Sequence, residues 1–307
     1  MWDGCTSRPR RAVAAPGGPV HPDDFPDPHV LRVGSAYYAY ATNAGPVNVQ
    51  VLRSTDLERW ERLGDALPQL PAWARKGRTW SPAVLARGDR YVLYYSAWEP
   101  ASGRQAISAA SADDPAGPFV DTSVGPLIFQ LDRGGSIDPS PFVDDDRAAY
   151  LLWKSDDNAF NRPSGLFGQR LREDGLALVG EPAELLGHDR GWEAPLVEAP
   201  SIVKAGGAYY LFYSANWWES PNYAVGYATA SSPLGPYRKR TRRGPWFVSG
   251  AAAAGPGGQE FFTDTGGQLW MAYHAWTPSA VGYQLGGARS LRMAKVGLAG
   301  RRPVVRG

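Results

Sequence analysis

DPHVLRVGSAYYAYAT, residues 27–42, runs from an Asp-Pro entry through a short apolar stretch and a turn at Gly34 into an aromatic strand. The same phrase returns as SPAVLARGDRYVLYYS (81–96), DPSPFVDDDRAAYLLW (138–153), APSIVKAGGAYYLFYS (199–214) and QEFFTDTGGQLWMAYH (259–274). Successive copies start 54, 57, 61 and 60 residues apart. Units of this length made of short strands predict a β-propeller, because one blade cannot bury its own faces and must stack on the next. The expected fold class is all-β, a five-bladed β-propeller.

The segments between the copies agree. Pro115-Ala116-Gly117-Pro118-Phe119 and Pro233-Leu234-Gly235-Pro236-Tyr237 are near-copies after the second and fourth units, and such strings mark turns feeding edge strands. LFGQRLREDGLALVG (166–180) reads as a hairpin around its Glu-Asp-Gly turn. No segment holds a 3.6-residue apolar period. The 307 residues are therefore expected to form a flexible leader over residues 1–19 and one catalytic propeller over residues 20–307.

Composition narrows the function. Twelve Trp and fifteen Tyr supply large apolar area to short strands, while 36 Gly and 27 Pro are spread among the turns. A net charge of +2 is too small to imply a nucleic-acid partner, and the basic run Arg238–Arg243 is expected to be a solvated loop. No stretch approaches the roughly 20 apolar residues of a membrane span. The single cysteine, Cys5, rules out an internal disulfide framework. G-x-S-x-G, H-E-x-x-H, P-loop and Cys/His metal spacings are all missing.

In a propeller the innermost strands line the central channel, so positions 27, 81, 138, 199 and 259 are expected to form a ring at one mouth. Asp27 and Asp138 occupy that ring, and Glu198 adjoins Ala199. Crowded like charges cost stability, which makes an accidental gathering of acids there unfavourable. Two carboxyl groups flanking a bond are what glycoside hydrolysis requires. One protonates the leaving oxygen and the other activates water, with about 6.5–9.5 Å between them for inversion. A third acid raises the pKa of the proton donor by its charge. Aromatic rings stack on sugar faces, and Trp80, immediately before ring position 81, is the first candidate among Trp80, Trp98, Trp153, Trp217 and Trp276.

These residues resemble glycoside hydrolase family 43, the five-bladed arabinosidases, arabinanases and xylosidases. The likeness is carried by Phe25-Pro26-Asp27-Pro28, Asp56-Leu57-Glu58-Arg59-Trp60, Trp80-Ser81-Pro82, Ile137-Asp138-Pro139-Ser140 and Val197-Glu198-Ala199-Pro200. The resemblance implies Asp27 as general base, Glu198 as general acid and Asp138 as modulator of the acid's pKa. It also implies sugar-binding roles for Trp80 and for Arg289 in Gly286–Ser290, with Asn158 and Gln259 completing the set. Family members often carry Gly-Pro-Gly-His before the last blade, where the His helps hold a metal ion. Here Gly255-Pro256-Gly257-Gly258 puts a glycine at that place, which argues against a central calcium unless Gln259 or His274 substitutes. No other cofactor is expected.

The stretch from Trp153 to Asn158, with Trp192, is most similar to the exo-acting α-L-arabinofuranosidase branch. The implied reaction is inverting release of terminal α-L-arabinofuranose from arabinan or arabino-oligosaccharides. A β-xylosidase of the same family and a non-catalytic carbohydrate-binding propeller stand as alternatives. The expected partners are arabinose- or xylose-containing oligo- and polysaccharides.

Overall fold

The computed structural model describes residues 12–298 and 302–306. It is 54% strand and 4% helix, with five sheets arranged in a ring as the blades of a propeller. The innermost strands are His29–Val33, Arg75–Arg87, Ser136–Val143, Val197–Ala205 and Ala254–Thr263, one from each repeat. Each is in contact with the innermost strand of the next blade, and the fifth closes on the first. Each also pairs antiparallel with the aromatic strand that follows it, as in His29↔Tyr40 and Glu198↔Ser214.

The aromatic strands alternate rings between the two faces of each sheet, which is how short strands bury enough area to stack. Five hydrophobic clusters result, one between each pair of neighbouring blades. Leu93 and Tyr95 lie between blades 1 and 2, Leu151 and Trp153 between 2 and 3, and Leu211 and Tyr213 between 3 and 4. Each fully buried large side chain contributes about 1.5–3 kcal/mol, so every interface is held by its own small core.

Closure uses the start of the chain. His21–Asp24 is the outer strand of the fifth blade and pairs His21↔Leu291 and Asp24↔Ser290. Four residues, of which two are aspartates and one a proline, give no strand signal of their own, and their partner is more than 260 positions away.

The described part of the expected leader is also built into the fold, whereas residues 1–11 lie outside the described residues. Val13–Ala14 pairs with Phe247–Val248 on blade 4, and the Gly17 carbonyl accepts from Arg292 Nη1. The propeller therefore begins earlier than residue 20. The run Arg238–Arg243 departs from a solvated loop at two residues: the Lys239 ammonium turns inward to Glu193 and Asp189 at 2.6 and 2.5 Å, and Thr241 is buried with its hydroxyl oxygen accepting the Tyr227 N–H.

Candidate active site

The repeat has a backbone cause. Asp27, Ser81, Asp138 and Ala199 all adopt positive φ, at 55°, 47°, 57° and 48°, and the fifth residue to do so is Gly258, at 58°. In blades 2 to 5 the sheet register breaks at these residues, so each is a bulge that turns the inner strand at the channel mouth. The fifth ring position is thus Gly258 and not Gln259, one residue earlier than the repeat phase suggested. Gly258 carries no side chain, and Gln259 stands where the other four blades have Pro, so the sequence offered no landmark there.

The three acids converge. Asp27, Asp138 and Glu198 line one cleft of about 640 Å³ together with Trp80, Lys154, Asn158 and Arg289. Asp27 accepts a 2.8 Å bond from the Thr42 hydroxyl at Oδ2, and Arg289 Nη1 lies 3.6 Å from its Oδ1. Its backbone N–H donates to His274 Nδ1 at 3.0 Å. Glu198 accepts from the Tyr223 hydroxyl at 2.7 Å and from Lys154 Nζ at 3.3 Å. Lys154 also reaches Asp156 at 3.2 Å, and its side chain is 1% exposed. Lys154 and Arg289 are the cations set among the acids, and they offset the repulsion that such a trio carries.

Asp138 sits between the other two acids. Its Oδ1 accepts from the Ser81 hydroxyl at 2.8 Å and its Oδ2 from the backbone N–H of Ala199 at 2.9 Å. Burial, and then the charge of Glu198, hold its carboxyl up to about 7. The sequence reading has Asp138 acting on Glu198 through its charge. In the structure Asp138 also anchors, through its Oδ2, the peptide immediately after Glu198.

The other expected sugar ligands divide. Asn158 lies in the turn Asp157–Phe160 on the cleft wall, and its Oδ1 is buried without a hydrogen-bond partner. The Arg289 guanidinium lies 4.6 Å over Trp218 and bonds the Tyr283 hydroxyl, while its backbone N–H donates to Asp24. Gln259 does not line the cleft. It is buried beneath the ring, where it accepts from the Ser214 hydroxyl and donates to the Ala199 carbonyl, so its amide is committed to holding blades 4 and 5 together. Trp153 and Trp276 are core residues, and Trp98 lies under the Arg78 guanidinium. Trp217 is 44% exposed and lines the cleft.

Sequence reasoning gave no role to Lys154, Tyr223, Thr42 or Asp24, all of which line this cleft. A signal existed for one of them. Gly257 and Gly258 have no room for a side chain, because a Cβ would lie 2.0 Å from Tyr223 Cε1 at the first and 2.6 Å from His274 Nδ1 at the second. The two glycines are seats for two rings that stack 5.9 Å apart at 7°. One ring holds Glu198 and the other holds the backbone of Asp27.

His274 thus fills the space left open by the missing side chain at 258. Its Nδ1 is already occupied by the Asp27 N–H, and burial lowers its pKa to about 3. Among the described residues no three His, Cys, Asp or Glu groups converge in a metal-binding arrangement.

Beneath the ring lies a channel cavity of about 20 Å³, lined by Asp27, His29, Asp138 and Glu260 among others. Desolvation there holds the Glu260 carboxyl up to about 8. A carboxyl raised on folding stabilises the native state below its unfolded pKa, near 4.5, and that stability is lost as pH rises towards 8. The buried imidazoles of His29 and His274, lowered to about 4 and 3, act in the opposite sense only below about 6.5. Glu260→Gln is therefore expected to flatten the fall of Tm between pH 6.5 and 8. Equal slopes in the variant and the parent would remove Glu260 from this role.

The comparisons with known proteins agree with this geometry. The profile of Glycosyl hydrolases family 43 matches residues 17–298. The β-D-galactofuranosidase xynD of Aspergillus niger is 27% identical over 276 residues, covering 84% of this chain and 76% of that protein. The arabinoxylan arabinofuranohydrolase of Bacillus subtilis is 28% identical over 278 residues. The match covers 81% of this chain but about half, 52%, of that relative's length. A thermostable family-43 glycoside hydrolase of known crystal structure superimposes with a TM-score of 0.84 at 30% identity, over 96% of each chain. With a profile match over nearly its whole length and a propeller whose acids share one cleft, this chain belongs to glycosyl hydrolases family 43, enzymes acting on glycosidic bonds.

Proposed function

We propose that the protein is an inverting exo-glycoside hydrolase that releases terminal α-L-arabinofuranose from arabinan or arabino-oligosaccharides. The observation that carries the reading is the opening of Asp27, Asp138 and Glu198 onto a single cleft with Trp80, Asn158 and Arg289. Asp27, braced by Thr42, Arg289 and the backbone bond to His274, is the general base that takes a proton from the attacking water. Glu198, braced by Tyr223 and Lys154, is the general acid that protonates the leaving oxygen. Asp138 keeps the Glu198–Ala199 peptide in place. The unpartnered Asn158 Oδ1 accepts a sugar hydroxyl, and Trp80 covers a sugar face.

A furanose in the cleft is supported by the names of the two relatives above, a galactofuranosidase and an arabinofuranohydrolase. Proton NMR during hydrolysis of arabino-oligosaccharides tests substrate, exo action and stereochemistry together. The expected first product is free arabinose as its β-anomer. First release of the α-anomer would overturn inversion, and release of xylose from xylo-oligosaccharides alone would move the substrate to a β-xyloside. Retention of arabinan with no sugar released would point to a binding propeller.

A further inference from the structure

The loop that braces Glu198 also carries two tryptophans. It begins after the aromatic strand Ala208–Ala215, whose Ser214 and Ala215 pair with Glu198 and Val197. Asn216 adopts φ 78°, a conformation L-residues rarely hold, and its side-chain oxygen accepts the N–H of Trp217. Seven residues on, Tyr223 returns to Glu198 through its hydroxyl. The segment from Asn216 to Tyr223 thus starts and ends at the candidate acid.

The two tryptophans differ in what surrounds them. Trp218 is enclosed, stacked on Trp276 at 6.1 Å and capped by the Arg289 guanidinium. Trp217 touches Trp218 at a ring separation of 5.9 Å, yet stays 44% exposed while lining the cleft. A large ring left open on a cleft wall offers apolar area for a ligand to cover. A cleft of about 640 Å³ falls in the range that encloses a drug-sized molecule, so it has room beyond one pentose ring.

We infer that Trp217 is the stacking platform for the leaving-group sugar, the residue of the oligosaccharide on the far side of the scissile bond. The inference rests on the proposed role of Glu198, because the proton donor stands on the leaving-group side and Trp217 belongs to the loop that braces the donor. Carbohydrate C–H faces pack on indole rings as other apolar surfaces do, with the ring edge left to water. The enzyme then selects chains whose penultimate unit is another sugar, and the binding energy of that unit is gained next to the group that must donate a proton.

The test compares a trisaccharide of the accepted pentose with its methyl glycoside, whose aglycone is too small to cover an indole. A nitrophenyl glycoside is unsuitable, since its own ring would stack on Trp217. For Trp217→Ala the ratio of the two kcat/KM values, trisaccharide over methyl glycoside, is expected to fall about tenfold. Trp217→Phe is expected to restore part of that ratio. An unchanged ratio would overturn the inference, whether both substrates lose activity together or neither does. A parent enzyme inactive on every pentoside would overturn the proposed function and this inference with it.

Discussion

Glu198→Gln is expected to lose about 10²–10⁴-fold in kcat on arabino-oligosaccharides, the usual worth of a positioned proton donor. A sugar alkoxide is a poor leaving group and needs that proton as the bond breaks. A nitrophenolate leaves without it, so the same variant should retain most of its rate on the nitrophenyl glycoside. Gln keeps the size of Glu198 and can still meet the Tyr223 hydroxyl, which limits structural damage. Equal losses on the two substrates would take the acid role away from Glu198, because only proton donation depends on the leaving group. Steady-state kinetics on the pair decides the matter.

Asp27→Asn should lose a comparable 10²–10⁴-fold, but on both substrates alike, since water must be activated whatever departs. Asn retains an oxygen for the Thr42 hydroxyl, and the bond to His274 runs through the backbone N–H, so it survives the exchange. Binding of arabinose oligomers should therefore persist while turnover vanishes, measurable by titration calorimetry beside the rate assay. A variant that turns over nearly normally would show that another group activates water. The two variants together separate acid from base by leaving-group dependence.

Much of this arrangement was legible because one local requirement repeats. Every inner strand must turn at the channel mouth, and four of the five turning residues are followed by Pro, so position and phase could be read in blades 1 to 4. The acids followed from the same register. The fifth blade was misread by one residue because Gly258 makes its turn without a side chain or a following Pro. Lys154 and Tyr223 were hidden for a different reason. Each lies in or beside a strand of ordinary alternation; the stacking of blade 3 on blade 4 brings Lys154 to Glu198, and the return of the chain within blade 4 itself brings Tyr223 there. His274 is a core histidine by burial, yet its Nδ1 serves the backbone of Asp27 from 247 positions away. Gln259 is among the sugar ligands expected from the family resemblance. Its amide is spent on Ser214 and Ala199 instead.

The pairing of His21–Asp24 with Ser290 and Leu291 bears on how the enzyme comes to life. All three candidate acids precede residue 254, where the inner strand of the last blade starts, so a ribosome exposes every candidate carboxylate before that blade is made. Such a nascent chain lacks His274 and Arg289, two of the three contacts that fix the earliest acid, and has no partner strand for His21–Asp24. Catalytic competence would then switch on in a single late event, when His21–Asp24 zips onto the last blade, and hydrolysis itself becomes a stopwatch for that closing step of folding.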